Sequence, residues 1–154
     1  MRELTADAII RLAAAALERT AFLMAEPGDG PHAAALPPAT QFSRIEYGGP
    51  ERGAIVLAAS DGFAQKLAAG MLGGDPNGID PAAAGADAMR ELANIVAGSL
   101  VLELGGERCP FSLGLPSGCD RSAVPAVADC VALLDVEGDR LEVHWVRCVA
   151  AQAA

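Results

Sequence analysis

Four residues of one predicted helix have types and spacing that could serve chemistry: Asp87, Glu91, Asn94 and Gly98. They stand at positions i, i+4, i+7 and i+11. Because each helical residue advances by about 100°, they fall in one stripe roughly 60° wide. The apolar residues of the same segment fall on the opposite side, where they would face a core: Met89, Leu92, Val96 and Leu100. The spacing therefore predicts an exposed stripe on a helix whose opposite side is buried. We call this stripe, formed by Asp87, Glu91, Asn94 and Gly98, the polar ribbon.

The chemistry that the polar ribbon could support is the positioning of a water molecule. The amide of Asn94 cannot act as a general base, but it can hold water by donating and accepting hydrogen bonds. Hydrolysis of an acyl phosphate depends mainly on placing the attacking water in line. Glu91, one turn earlier, could pair with a Lys or Arg of a partner protein. Gly98 removes a side chain from the ribbon, which would let another molecule approach closely.

No other reaction machinery accompanies the polar ribbon. The sequence has no metal-ligand spacing, nucleophile–base pair or phosphate-binding loop, so any phosphate or metal would have to come with the partner. The alternative is an ordinary solvated helix face, since Asp87 near the first turn is favoured by the helix dipole and Glu91 is a good helix former. Asn94 fits that alternative less well, because asparagine is unfavourable in the middle of a helix.

Composition limits the classes of function that the chain can have. It has 154 residues, 52% of them hydrophobic and 20% charged, which is typical of one folded domain. The formal net charge is −9, Lys66 is the single lysine, and no cluster of basic residues reverses the charge locally. An acidic chain of this kind repels nucleic acid. With no signal peptide and no apolar run of membrane-spanning length, we expect a cytoplasmic protein that binds neither nucleic acid nor membrane.

The cysteines and histidines do not form a recognisable site. The four cysteines stand at positions 109, 119, 130 and 148, without a C-x-x-C pair, and neither His32 nor His144 has a partner at ligand spacing. A zinc site is therefore not expected. We expect four reduced and mostly buried thiols, because nothing nearby would lower a thiol pKa. Both histidines are expected to be surface or structural groups.

The elements that must position the polar ribbon can be read along the chain. Thr5 is a good N-cap for a first helix, and either Ser60 or Asp61 could cap a short one. Alternating and apolar runs separated by Gly-rich turns predict two hairpins. The predicted elements are a helix over 5–24, a flexible loop over 27–40, a hairpin over 41–59, helices over 61–72 and 81–104, a strand over 111–116 and a hairpin over 129–148. We expect a mixed α/β (α+β) domain, with helices on a largely antiparallel sheet.

An internal sequence similarity suggests a duplicated unit of one helix followed by strands. Ala6–Glu18 aligns without gaps on Ala86–Gly98, with identical residues at five positions: 6, 7, 8, 12 and 13. The pair Phe-Ser then recurs at residues 42–43 and 111–112, where each copy was expected to begin a strand. Arg11 aligns with Glu91, and Ala14 aligns with Asn94. Only the second copy therefore carries the acid and the amide.

The polar ribbon and its surroundings resemble the CheX/CheC/FliY family of chemotaxis phosphatases. The family motif is Asp or Ser, three residues, Glu, two residues, Asn, and later a proline. Here it reads Asp87, Glu91, Asn94 and Pro116, with 21 residues between the last two. That interval is one residue shorter than the family pattern, which a single deletion within 105–110 would explain.

The resemblance implies an activity and gives each motif residue a role. It implies a phosphatase that hydrolyses the aspartyl phosphate of a CheY-like response regulator, with Asn94 orienting the attacking water. Glu91 would pair with the regulator's active-site Lys, and Asp87 would support that contact. The chain would have no cofactor of its own, because the magnesium ion belongs to the regulator. CheC-type members have two active helices, so Arg11 and Ala14 in the first helix indicate the single-site CheX type.

The resemblance covers residues 5–149, and its most specific part is the segment 91–98. It implies a single CheX-like domain over 1–154 and a homodimer joined through the edges of the sheet. FliM-type switch proteins share the fold but lack the catalytic pair. The alternative function is therefore a non-catalytic CheX-like or FliM-like module that binds a receiver domain or a switch complex.

Overall fold

The computed structural model describes residues 3–106 and 110–148. Within these ranges the chain forms four α-helices and seven strands, and all strand pairs are antiparallel. The helices are α1 (Ala6–Ala21), α2 (Gly30–Ala35), α3 (Asp61–Leu72) and α4 (Ala84–Gly105). The strands are β1 (Ala25–Pro27), β2 (Gln41–Gly48), β3 (Arg52–Ala59), β4 (Ser112–Leu113), β5 (Ser117–Cys119), β6 (Cys130–Val136) and β7 (Asp139–Cys148). The predicted mixed fold with a largely antiparallel sheet is confirmed.

Helix α1 begins where the sequence predicts and ends earlier. The hydroxyl oxygen of Thr5 accepts a hydrogen bond from the backbone N–H of Ala8, at 3.1 Å, which confirms the N-cap. The helix ends at Ala21 because Phe22 adopts the left-handed conformation, with φ of 57°. The predicted end at residue 24 was therefore too late.

Helices α3 and α4 carry the polar ribbon and its nearest helical neighbour. The predicted range of α3 is confirmed, with Ser60 at the N-cap position. Helix α4 starts at Ala84 instead of Pro81, because residues 81–83 form a turn in which the Asp80 carboxylate accepts a hydrogen bond from the Ala82 N–H at 2.9 Å. The helix then continues to Gly105, one residue beyond the predicted end.

The segment 27–40 is more ordered than the predicted flexible loop. Residues 30–35 form α2, with a proline in its first turn. Arg140 of β7 donates hydrogen bonds to the carbonyl oxygens of Ala33, at 2.7 Å, and Pro37, at 2.8 Å. Because Arg140 alternates with the core residue Leu141 along the strand, the segment lies on the sheet face away from α1, α3 and α4. A helix of six residues is too short to show a periodic pattern in the sequence.

The sheet has the strand order β1-β6-β7-β3-β2-β4, and β5 also pairs with β2. Both predicted hairpins are confirmed, as β2–β3 and β6–β7. The predicted single strand over 111–116 is wrong. Two short strands, β4 and β5, are separated at Pro116, which has no N–H for a sheet ladder, and Gly118 lies inside β5 instead of ending a strand.

The topology fits the duplication that the sequence predicts. Strands β3 and β7 pair at the centre, β2 and β6 flank them, and β4 with β5 on one side corresponds to β1 on the other. Each unit consists of a helix, an outer strand and a hairpin, and each outer strand pairs with the hairpin of the other unit. The equivalence of the two Phe-Ser pairs is wrong, because Phe42 lies in a hairpin strand whereas Phe111 precedes an outer strand.

The main core lies between the sheet and three helices, α1, α3 and α4. Its largest fully buried side chains include Trp145, Phe63, Ile9, Leu92 and Leu100. The buried hydroxyl of Ser43, in β2, donates a hydrogen bond of 3.2 Å to the carbonyl oxygen of Met89. Helix α4 is thus held against β2 along its inner side, and its outer side is left for the polar ribbon.

Candidate functional site

The outer side of α4 presents the polar ribbon to solvent. Asp87, Glu91 and Asn94 are exposed, and Gly98 is partly exposed. The apolar residues on the inner side are at most 1% exposed: Met89, Leu92, Val96 and Leu100. The one-sided arrangement predicted from the spacing is confirmed. A helix packed in this way holds its outer side chains on a rigid support.

Asp87 already has a partner within the chain. Its carboxylate forms an ion pair with the guanidinium of Arg90, one turn further along the helix. A Cβ atom added to Gly118 would lie 3.3 Å from Nη1 of Arg90, so the guanidinium extends from α4 towards β5. Arg90 was not predicted from the sequence, although the i, i+3 spacing of opposite charges is a visible signal.

Glu91 and Asn94 differ from Asp87 in their side-chain contacts. Among the described residues, no group forms a hydrogen bond or an ion pair with the side chain of either. No atom of the described ranges outside the local helix lies within 4 Å of the place where a Gly98 side chain would begin. The carboxylate and the amide are therefore free to contact another molecule, and the surface beyond them is open.

An apolar pocket lies beside the polar ribbon, between α3 and α4. It has a volume of about 340 Å³, and its walls are formed by Met71, Leu72, Ala84, Asp87, Ala88 and Glu91. Two ribbon residues, Asp87 and Glu91, thus form part of its lining. This pocket was not predicted from the sequence, because it depends on how the end of α3 meets the beginning of α4.

Pro116, which completes the motif, lies between β4 and β5 and is partly buried. Strand β5 pairs with β2, the strand on which α4 packs. The proline therefore belongs to the segment that borders α4 on the side opposite the pocket. The one-residue deletion expected within 105–110 falls largely on residues 107–109, which lie outside the described residues.

Helix α1 shows what the equivalent surface looks like without the acid–amide pair. Arg11, which aligns with Glu91, is exposed, and its guanidinium lies 3.5 Å from the Glu103 carboxylate of α4. Ala14, which aligns with Asn94, has no group that could hold a water molecule by side-chain hydrogen bonds. Of the two related helices, only α4 carries a candidate site.

The remaining candidate groups lie apart from the polar ribbon. Cys119 and Cys130 are free, partly buried thiols, and burial raises the pKa of each. Cys109 and the side chain of Cys148 lie outside the described residues. His32 is exposed beside Asp135, and His144 is buried with Nε2 2.9 Å from the Glu142 carboxylate. In the described ranges, no three His, Cys, Asp or Glu side chains could together hold a metal ion.

A family model described as chemotaxis phosphatase CheX matches residues 42–132. The matched region is more than half of the chain and includes all of α4. The chain belongs to the CheX family. The CheX motif residues thus lie in the region that the family model covers. No curated protein matches the sequence.

Solved CheX structures have the same fold. The CheX protein from Desulfovibrio desulfuricans is 17% identical, with a TM-score of 0.70, over 93% of this chain and 98% of that one. CheX from Vibrio vulnificus is 17% identical, with a TM-score of 0.69, over 91% and 93%. CheX in a CheX–CheY–BeF3–Mg²⁺ complex from Borrelia burgdorferi is 14% identical, with a TM-score of 0.67, over 95% and 99%. No helix among the described residues of the present chain is long and apolar enough to cross a membrane.

Proposed function

We propose that this chain hydrolyses the aspartyl phosphate of a CheY-like response regulator. The proposal rests on Glu91 and Asn94, which are both exposed on the outer side of a helix with a buried back and whose side chains have no partner in the part of the chain that the structure describes. Membership of the CheX family and the fold shared with CheX in a CheX–CheY complex support it.

In this proposal Asn94 orients the water that attacks phosphorus. Its amide oxygen accepts a hydrogen bond from the water, which turns the water's lone pair towards the phosphoryl group. The acyl phosphate supplies a good leaving group, the aspartate carboxylate of the regulator. The chain therefore needs mainly to position the attacking water and takes no covalent part in the reaction.

Glu91 fixes the orientation of the regulator by pairing with its active-site Lys. Asp87 supports the partner contact through its ion pair with Arg90, and Gly98 leaves room for close approach. The magnesium ion is proposed to belong to the regulator, so this chain needs no cofactor of its own. The site is single, because α1 has Arg11 and Ala14 at the equivalent positions.

The test is the decay of phosphate on a purified CheY-like receiver domain from the same genome, with and without this protein. We expect the wild-type protein to accelerate the decay. Asn94→Ala should reduce the acceleration at least about a hundredfold, because the water is no longer held in line. Asn77→Ala, which removes the other asparagine of the chain from an exposed turn, is the matched control.

Thermal unfolding of the same variants shows whether the fold is intact. Asn94 is exposed and makes no internal hydrogen bond to a described residue, so its substitution should leave the unfolding transition in place. Full acceleration by Asn94→Ala would refute the water-orienting role. Binding of the receiver with an unchanged phosphate lifetime would favour the alternative, a non-catalytic binding module.

The homodimer is a separate proposal. In the described part of the sheet, β1 and β4 lie at the two ends of the strand order, and both are short. Edge strands have backbone groups that another strand can pair with. Sedimentation at several protein concentrations, with a proline placed in either edge strand as the comparison, tests whether copies associate through these edges.

A further inference from the structure

The apolar pocket between α3 and α4 is continuous with the polar ribbon. Asp87 and Glu91 form one wall, and the remaining lining comes from Met71, Leu72, Ala84 and Ala88. A partner surface that covers Glu91 and extends towards α3 therefore lies over the mouth of this pocket. The volume of about 340 Å³ is enough for one or two apolar side chains.

Leu72 places an exposed apolar side chain at the mouth of the pocket. Its side chain is 73% exposed, at the last residue of α3, directly before the glycine pair 73–74. Together with the apolar lining of the pocket, this side chain forms a contiguous apolar surface, and such surfaces mark sites that another molecule covers. Small-molecule sites bring several polar groups together to fix orientation. Here the charged lining groups are the two ribbon carboxylates on one wall, which favours a protein surface over a small molecule.

The charges around the pocket indicate what kind of protein surface would fit. From residue 61 to residue 91 the chain contains five acidic residues and two basic residues, Lys66 and Arg90. Lys66 is paired with Asp139, at 2.8 Å, and Arg90 is paired with Asp87. Glu91 at the pocket wall has no ion pair among the described residues. A complementary surface would therefore present an apolar side chain flanked by basic groups.

We propose that the apolar pocket receives an apolar side chain, flanked by basic residues, from the same receiver domain whose phosphate the polar ribbon reaches. This inference rests on the proposed function, because it takes the receiver domain as the partner. The pocket contributes affinity and register, whereas Asn94 contributes to the chemical step. The two contributions are separable because Leu72, Ala84 and Ala88 present no polar side chain to the reacting atoms.

The test separates affinity from chemistry. The affinity of the full chain for a CheY-like receiver domain is measured by titration, with the receiver loaded with beryllofluoride and Mg²⁺. Dephosphorylation is measured over a range of concentrations that reaches saturation, which gives both KM and kcat. We expect Leu72→Ser to weaken binding and raise KM about tenfold, as loss of a buried interface anchor does, and to leave kcat unchanged. Asn94→Ala should show the reverse pattern, with kcat lost and binding largely kept.

Three further variants keep the test specific. Leu72→Met, which retains an apolar side chain of similar size, should bind as the wild type does. Ala84→Trp, which fills the pocket from the start of α4, should weaken binding as Leu72→Ser does. Val127→Ser removes an 86% exposed apolar side chain from the segment before β6, outside the pocket lining, and should change neither quantity.

Each outcome supports or overturns the inference. Unchanged binding in both Leu72→Ser and Ala84→Trp, with normal wild-type dephosphorylation, overturns the pocket as a docking site and leaves the proposed function intact. Binding that depends on Leu72, without any dephosphorylation, supports the docking site and refutes the phosphatase. Absence of receiver binding by the wild type overturns the inference. If Leu72→Ser changes the sedimentation of this protein but not its binding to the receiver domain, the pocket serves self-association. That outcome also overturns the inference.

Discussion

Gly98 is the ribbon residue whose surroundings allow the clearest prediction. A Cβ atom added there meets no described residue outside the local helix within 4 Å, and glycine inside a helix costs about 1 kcal/mol relative to alanine. We therefore expect Gly98→Ala to raise the free energy of unfolding by about 1 kcal/mol, measured by urea denaturation.

A larger side chain at the same position tests the reason for the glycine. Gly98→Trp should raise the KM for a phosphorylated receiver domain, since the indole would occupy the space that a close partner needs. If Gly98→Trp leaves KM at the wild-type value, close approach at this position is not required.

Glu51 predicts a pH effect on stability. Burial would raise the pKa of its carboxyl, but hydrogen bonds from Arg147, at 3.0 Å, and Tyr47, at 2.8 Å, outweigh burial and hold the pKa below its ordinary value. A carboxyl with a lowered folded-state pKa stabilises the protein above its unfolded pKa, and this contribution is lost as the pH falls through the folded pKa. Glu51→Gln should therefore destabilise the protein at pH 7, with a difference that shrinks below about pH 4.

Urea denaturation at pH 7 and at acidic pH measures this difference. Glu18→Gln, at an exposed position of α1 without an ion pair among the described residues, is the control. A constant gap between Glu51→Gln and wild type at every pH would contradict the assignment.

At the level of elements, we expect substitution of Gly70 by alanine to change the stability in the opposite direction to the same substitution at Gly98. Both lie inside helices, but a Cβ atom at Gly70 would lie 2.3 Å from the carbonyl oxygen of Ala21, at the end of α1. That contact involves backbone and cannot be relieved by turning a side chain. We expect Gly70→Ala to lower the free energy of unfolding by about 1–3 kcal/mol, despite the better helix propensity of alanine. Urea denaturation of Gly70→Ala beside Gly98→Ala measures both signs, and stabilisation by both would refute this account of the α1–α3 contact.

Elements with strong local signals could be predicted from the sequence. The alternation of apolar and polar residues and the Gly-rich turns predicted both hairpins. The apolar stripe of α4 correctly predicted which side of the helix is exposed. The elements that were missed depend on contacts distant in sequence. Helix α2 is held by Arg140, more than 100 residues away, and the break between β4 and β5 depends on two separate pairings with β2. The candidate residues were therefore predictable, whereas the pocket beside them was not.

For the whole molecule, the exchange of outer strands predicts that neither half folds alone. Strand β1 pairs with β6 of the second half, β4 and β5 pair with β2 of the first, and β3 pairs with β7 at the centre. Fragments 1–80 and 81–154 would each lose these pairings and leave apolar faces uncovered. We expect each fragment to lack a cooperative unfolding transition by circular dichroism, and we expect an equimolar mixture to regain one. A cooperative transition in either fragment alone would contradict this expectation.

The central pairing of β3 with β7 also has a consequence for synthesis on the ribosome. Strand β3 ends at Ala59, and its inner neighbour β7 ends at Cys148, the last described residue. The nascent chain must therefore keep one edge of an apolar strand unpaired while almost ninety further residues are added. We therefore expect the unpaired edge of β3 to make the nascent chain depend on chaperones and to make prematurely terminated chains aggregate. Both effects should depend more on when β7 is synthesised than on the stability of the finished protein.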